Sequence, residues 1–308
     1  MQRPLIIVVG PTGAGKSSLA LHLARRLSGE LVNADSVQLY RGFDIGSAKT
    51  PLAERQGIPH HLFDVLDAEK VHSAGDYARL ARAAVAEISE RGKLPILVGG
   101  TGFYVRAFLD GLPALPSRDE ALRERLTARR PGSLHSILSR LEPAAAARIH
   151  PSDTQKLIRA LEIRLLTSQP LPATETAMPL QGYQVLQLGL DPPRELLVES
   201  IAKRTREMFG AGLLDEVRGL LASGLTGNEK PFESLGYKQA VAHLRGELTL
   251  EEAIESTEIG TRQYAKRQRT WFRRDQRIQW LDGFGNDGAV QERAVRLWSD
   301  RCVPAASS

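Results

Sequence analysis

A single cysteine, Cys302, among 308 residues excludes an internal disulfide and any cysteine-built zinc ribbon. The seven histidines show no metal-ligand spacing, and the adjacent pair His60 and His61 reads as structural, the two rings pointing to opposite faces of a short strand. No apolar run reaches the length of a membrane span, and no charged-then-apolar leader precedes the first core strand, so a soluble, unprocessed, cytoplasmic protein is expected. Internal repeats are absent. Low complexity is confined to Ala144–Ala147 and a frayed tail at Ala305–Ser308. Charge of one sign is barely in excess, at +5, so any meaning lies in where the basic residues fall. With 42% apolar residues, the chain has the material for one large α/β domain carrying an insertion.

What is present begins with an apolar run, Leu5 to Val9. Gly10, Pro11, Thr12, Gly13, Ala14, Gly15, Lys16 and Ser17 follow, and then a helical pattern from Ser18 to Leu27. Strand, glycine-rich turn and helix form the setting of a Walker A phosphate loop, most often a nucleotide- or ATP-binding element. Gly10 and Gly15 let the backbone bend until several N–H groups converge, and the helix N-terminus adds its positive end. Lys16 brings a mobile cation to a diphosphate or triphosphate, and the Ser17 hydroxyl is placed for the Mg²⁺ such groups carry.

Further along, a second strand over Gly29–Ala34 ends at Asp35 and Ser36, a helix is expected over Ser73–Glu90, and Pro95–Val98 forms a strand entering Gly99–Gly102. Strands alternating with helices imply a parallel sheet flanked by helices, with ligands bound outside the carboxyl ends of the strands. Residues 113–181 differ. Eight prolines between Pro113 and Pro179, Pro172 among them, divide short helical pieces such as Arg118–Arg130 and Thr154–Thr167, without a convincing strand. This segment reads as an all-helical insertion between core segments 1–112 and 182–308. Tyr183–Leu190 resumes the sheet, and helices follow at Arg194–Phe209 and Leu213–Ala222. A last strong helix runs from Thr249, in a Thr249–Glu252 capping box, to about Arg273, with Gly260 as a possible break.

A carboxylate at Asp35, beside a diphosphate, is electrostatically unfavourable unless it holds a metal or takes a proton, although Asp-Ser pairs also cap turns. Three glycines around Thr101 suggest backbone approaching a ligand while Thr101 supplies a hydrogen bond. The final helix is acidic first and basic last. Arg262, Lys266, Arg267, Arg269, Arg273 and Arg274 interleave with Tyr264, Trp271 and Phe272, a mixture suited to phosphate contact and base stacking, though a solvated basic face would look the same. Lys156 and Arg159, one turn apart, with Arg123 and Arg148, suggest a second basic patch in the insertion.

In order along the chain, the phosphate loop, Asp35–Tyr40, Asp44–Lys49, Leu97–Gly102, Ala147–Pro151, Arg159–Glu162, Leu235–Lys238 and Gln263–Gln268 with Thr270 and Trp271 resemble successive motifs of the tRNA dimethylallyltransferases, or isopentenyl-tRNA transferases. The likeness spans almost the whole chain and is to the bacterial form, since the eukaryotic C-terminal zinc finger is lacking. The resemblance implies a P-loop NTPase-like fold and transfer of a dimethylallyl group from dimethylallyl diphosphate to N6 of the adenosine 3′ to the anticodon, in tRNAs reading codons that begin with U. It implies tRNA contacts at Thr101 and Arg123, and a tRNA-binding surface from Asp35, Ser36, Val37 and Gln38, from Gln155, Lys156, Leu157, Ile158 and Arg159, and from Glu233, Ser234, Leu235, Gly236, Tyr237 and Lys238. Arg204 is implied in donor binding. The insertion is expected to clamp the anticodon arm, Lys266 and Arg269 to meet phosphates, and the enzyme to act as a monomer.

The residues accommodate this chemistry. The loop amides, Lys16 and Mg²⁺ on Ser17 would stabilise a diphosphate leaving group, and Asp35 would orient and deprotonate the weakly nucleophilic amine, making Lys16, Asp35 and Thr101 the candidate catalytic residues. An adenylate isopentenyltransferase acting on free nucleotide and a P-loop kinase of a small metabolite are the alternatives. The basic helix and insertion argue against the first, and the lack of an Arg-rich lid against the second. An ATP-gated RNA-binding switch would need an acidic residue where the fourth strand instead ends in Gly99 and Gly100.

Overall fold

Leu5, Ile6, Ile7, Val8 and Val9 are all fully buried because the strand they form is covered on both faces and flanked on both edges. In the computed structural model, which describes residues 2–113, 115–116, 118–171 and 178–302, this strand is β1 (Arg3–Val9). It is followed by α1 (Lys16–Leu27), β2 (Gly29–Asn33), β3 (His60–His61), α2 (Ala74–Glu90), β4 (Leu94–Val98) and α3 (Gly102–Asp110). After the insertion come β5 (Tyr183–Leu190) and, with the insertion helices numbered α4 to α7 as given below, α8 (Arg194–Gly210), α9 (Leu213–Ala222), α10 (Tyr237–Leu244), α11 (Leu250–Phe272), β6 (Ile278–Leu281) and α12 (Gly288–Cys302). The six strands lie in the order β3-β2-β4-β1-β5-β6, every pair parallel, with Ile6 in register with Ile96 on one side and Leu186 on the other. Helices flank the sheet, as the strand–helix alternation implies, and the turns after β1, β2 and β4 open at one end of it.

The chain divides into two compact units, 1–109 with 180–308 and 110–179. Among its described residues the second unit is all helical: α4 (Glu120–Thr127), α5 (Pro131–Leu141), α6 (Pro143–Ala146) and α7 (Thr154–Thr167). Its core gathers Leu126, Leu134, Leu138, Leu157, Ile158 and Leu161. The helix expected over Arg118–Arg130 is shorter than the pattern suggested, because Asp119 caps it at the Leu122 amide. Pro172 and Ala305–Ser308 lie outside the described residues.

Several helix ends follow from side-chain chemistry. Ser73 and Asp76 close a capping box on α2, and Thr249 and Glu252 close one on α11. The break expected at Gly260 does not occur. α11 runs through it unbroken, and a Cβ there would stand 2.5 Å from Leu235 Cδ2, so the glycine serves close packing. β6 and α12 have no counterpart in the sequence reading: four residues are too few for a period, and α12 buries little beyond Val290 and Ala294. His60 and His61 do pack structurally, on the Ile58 carbonyl at 2.8 Å and on Glu30 at 2.7 Å. Among the described residues no helix is long and apolar enough to cross a membrane.

Candidate active site

The turn after β1 has the shape its sequence requires. Gly15 sits at φ +80°, where a side chain would be strained, and caps α1 without a side-chain hydrogen bond, so the helix's first amides are left for a ligand. Lys16 folds back across the loop, its Nζ donating to the Pro11 carbonyl at 2.9 Å. Burial, helped by the nearby Arg204 charge and opposed by Asp35, pushes the Lys16 ammonium down to about 8. Ser17 is exposed at the helix start.

The loop is held from behind by a segment that no local pattern connects with it. The Gly285 amide donates to the Ala14 carbonyl at 2.9 Å, and Gln291 Nε2 donates to the Gly285 carbonyl at 2.9 Å. A Cβ on Gly285 would stand 2.1 Å from the Gly15 carbonyl oxygen, backbone against backbone. Gly285→Ala is therefore expected to shift the phosphate loop and weaken inorganic diphosphate binding by about ten-fold or more, as read by calorimetric titration.

Asp35 caps its turn and also faces a cavity. Its Oδ1 accepts from the amides of Val37 at 2.9 Å and Gln38 at 3.4 Å, capping the turn, while the residue lines a cavity. Buried Asn33 fixes the turn from the other side, with Oδ1 accepting from the Asp35 amide at 2.8 Å and Nδ2 donating to the Asp35 carbonyl at 3.0 Å. Thr101 Oγ1 accepts from the Ser36 amide at 3.1 Å and so braces the Asp35 turn.

The glycines around Thr101 also serve close packing. A Cβ on Gly99 would lie 2.2 Å from the Ala34 backbone, one on Gly100 2.3 Å from Gln268 Nε2, and one on Gly102 2.3 Å from Trp271. They admit the chain just after β2 and the side chains of α11. Gln268 then bridges two loops, its Oε1 accepting from the Thr12 amide at 2.8 Å and its Nε2 donating to the Gly100 carbonyl at 2.8 Å.

These elements enclose a cavity of about 340 Å³. It brings together Thr12 and Gly13 of the loop, Asp35, Ser36 and Val37, Arg204, and Glu233, Ser234 and Leu235, all singled out in the sequence. Arg204 donates to Thr12 Oγ1 at 3.1 Å, and burial lowers its pKa while Asp35 raises it. Ile201 and Met208 add an apolar wall. A stripe of α11, Thr257, Thr261, Tyr264 and Arg267, was missed as lining. Its spacing of four, three and three residues marks one helix face, a signal overshadowed by the basic residues around it.

Other candidates stand elsewhere. Arg269 is held by Asp191 and donates to the Pro192 carbonyl at 3.3 Å, and Arg273 pairs with the same carboxylate at 2.6 Å. Arg269 is thus tied into the fold and not presented for phosphates, whereas Lys266 is exposed. Leu157 and Ile158 are core residues of the helical unit, and Gly236 and Tyr237 are buried, so the exposed members of those runs are Gln155, Lys156, Glu233 and Lys238. Arg123 and Arg159 both donate to Glu162 Oε2, at 3.2 and 2.6 Å. Burial pushes that carboxyl up, but Arg159, the Asp119 amide and Arg123 together hold it below the usual range.

Among the described residues no group of three or more His, Cys, Asp or Glu side chains could hold a metal ion. The fit at the loop is of another kind, one exposed hydroxyl beside an anion nest, which suits a cation held mainly by the oxygens of a bound diphosphate and by water.

A phosphate loop on the central strand of an all-parallel sheet, beside an acid-containing cavity, defines a P-loop-like α/β enzyme. The chain belongs to the IPP transferase family, whose model matches residues 38–275. It is 55% identical to a tRNA dimethylallyltransferase of Solibacter usitatus over 95% of this chain and 97% of that one, and 50% identical to one of Koribacter versatilis over 96% and 99%. Among solved structures it resembles a full-length tRNA isopentenylpyrophosphate transferase of Bacillus halodurans, with a TM-score of 0.72 and 38% identity over 97% and 96% of the two chains. A eukaryotic dimethylallyltransferase acting on tRNA aligns with a TM-score of 0.84 and 27% identity, covering 99% of this chain and 81% of that one.

Proposed function

We propose that the chain transfers a dimethylallyl group from dimethylallyl diphosphate to N6 of the adenosine immediately 3′ to the anticodon of tRNAs reading codons that begin with U, acting as a cytoplasmic monomer. The observation that carries the reading is the meeting of the phosphate loop, Arg204 and the Asp35 turn on one cavity. The donor's diphosphate lies on the loop amides and Lys16, with Arg204 beside it, and the dimethylallyl carbons lie against Ile201 and Met208. Asp35 Oδ2, the oxygen not used in capping the turn, takes a proton from the adenine N6 amine as nitrogen bonds to the allylic C1. The C1–O bond breaks and its electron pair leaves with the diphosphate, whose growing charge the loop stabilises without reorganising. Mg²⁺, held by Ser17 through the diphosphate, would neutralise part of that charge.

The adenine must leave the anticodon stack to reach Asp35. Contacts to the rest of the tRNA come from the exposed face of α11 and from the helical insertion, largely through phosphates. Affinity should therefore fall steeply with salt, and Lys266→Ala should reduce the log–log slope by about one. Arg269→Ala should instead lower the melting temperature, because it leaves Asp191 with a broken pairing. The proposal is tested by incubating the protein with Mg²⁺, dimethylallyl diphosphate and unmodified tRNA and mapping the product by mass spectrometry. Prenyl addition at the adenosine 3′ to the anticodon is expected. Addition at another nucleotide, or none, would overturn it.

A further inference from the structure

The cavity is lined by main chain, hydroxyls, carboxylates, guanidiniums and aliphatic groups, and among the described residues Tyr264 is its one aromatic side chain. A base drawn out of a tRNA stack loses its π neighbours, and aromatic rings are the usual replacement. Tyr264 is placed to provide one. Its hydroxyl lies beside the side chains of Thr101 and Gln268, and Thr101 in turn holds the Ser36 amide, next to Asp35. The phenol end of the ring thus faces the turn that carries the acid, and burial together with the Asp35 charge pushes the phenol up to about 12, so it stays protonated. One helical turn on, the exposed Arg267 guanidinium lies 5.8 Å from the ring centroid, at the outer limit of a cation–π contact and loose enough for a base to replace.

We infer that Tyr264 stacks on the extruded adenine and directs its N6 amine toward Asp35, with Arg267 taking the phosphate that flanks the adenosine. The inference rests on the proposal that this adenine enters the cavity. Stacking is tolerant of base identity, so the ring supplies affinity and orientation while the acid selects an exocyclic amine. A ring that only walls the cavity would behave differently, because its loss would affect all tRNAs alike.

The test is a cycle between ring and base. Full-length protein is titrated with tRNA bearing adenosine, or an abasic site, 3′ to the anticodon. The parent is expected to bind the adenosine form about ten-fold or more tightly than the abasic form. In Tyr264→Leu and Tyr264→Met that ratio should fall to within about two-fold of unity, and Tyr264→Phe should restore it, each variant being checked for unchanged dimethylallyl diphosphate affinity. A ratio kept by the Leu and Met variants overturns the inference. So does a parent ratio of unity, and product mapping on the parent then decides separately whether the transfer reaction stands. A second measurement needs no variant: tRNA carrying 8-azidoadenosine at the same position should crosslink to Tyr264 on irradiation. Crosslinks elsewhere in the cavity with none at Tyr264 overturn the inference.

Discussion

Asp35→Asn should slow single-turnover dimethylallyl transfer by roughly 10²–10⁴-fold and leave tRNA affinity within a few-fold of the parent. The substitution suits the geometry, because Asn can keep an Oδ1 acceptor for the Val37 and Gln38 amides, and Asn33 still holds the turn from behind. What it loses is an oxygen that can accept a proton. The Asp35 charge also supports the protonated states of Lys16 and Arg204, so donor affinity should be compared near pH 6.5, where Lys16 remains charged in either protein. A metal-ligand role predicts another pattern, a raised Mg²⁺ requirement and a rate restored by excess Mg²⁺. Recovery of most of the rate across a Mg²⁺ titration would remove Asp35 as the base and make it a metal-site residue.

Lys16→Ala should act on the donor. Removing the cation loses a charge-assisted contact worth roughly 2–4 kcal/mol, about 30- to 900-fold in kcat/KM. Lys16 donates to the Pro11 carbonyl and is held down to about 8, so it is charged below that pH and progressively neutral above it. A bound diphosphate favours the charged form and raises the value, so donor binding takes up a proton above about pH 8. Dimethylallyl diphosphate affinity should therefore fall as pH rises past about 8 in the parent and lack this limb in Lys16→Ala. Near-normal turnover by the variant would show that the loop is not the donor site.

The two ends of the mechanism were legible in sequence for different reasons. The phosphate loop is local: eight consecutive residues between a strand and a helix specify an anion nest without tertiary information. Asp35 and Arg204 are 169 positions apart, and only the parallel topology, with β4 between β1 and β2 and β5 on the far side, lets the Asp35 turn and α8 share one cavity. The glycines around Thr101 illustrate what sequence leaves ambiguous. Close approach was readable, but its partner, Gln268 and Trp271 of a helix some 170 residues later, was not. Arg269 is the converse case. Its charge matched a nucleic-acid surface, and nothing local revealed that Asp191 would hold it. Gly285 gave no signal, because a backbone packed behind a phosphate loop leaves no trace in composition or period.

The central claim is that the phosphate loop holds a leaving group and not a phosphoryl donor. The most direct measurement incubates the protein with Mg²⁺, dimethylallyl diphosphate and unmodified tRNA and counts N6-dimethylallyladenosine against liberated diphosphate and orthophosphate. A parallel reaction supplies ATP and free AMP. One prenylated adenosine per diphosphate, no orthophosphate and no modification of free AMP is the predicted result. Orthophosphate or phosphoryl transfer from ATP, or prenylation of free AMP with tRNA untouched, would contradict the account.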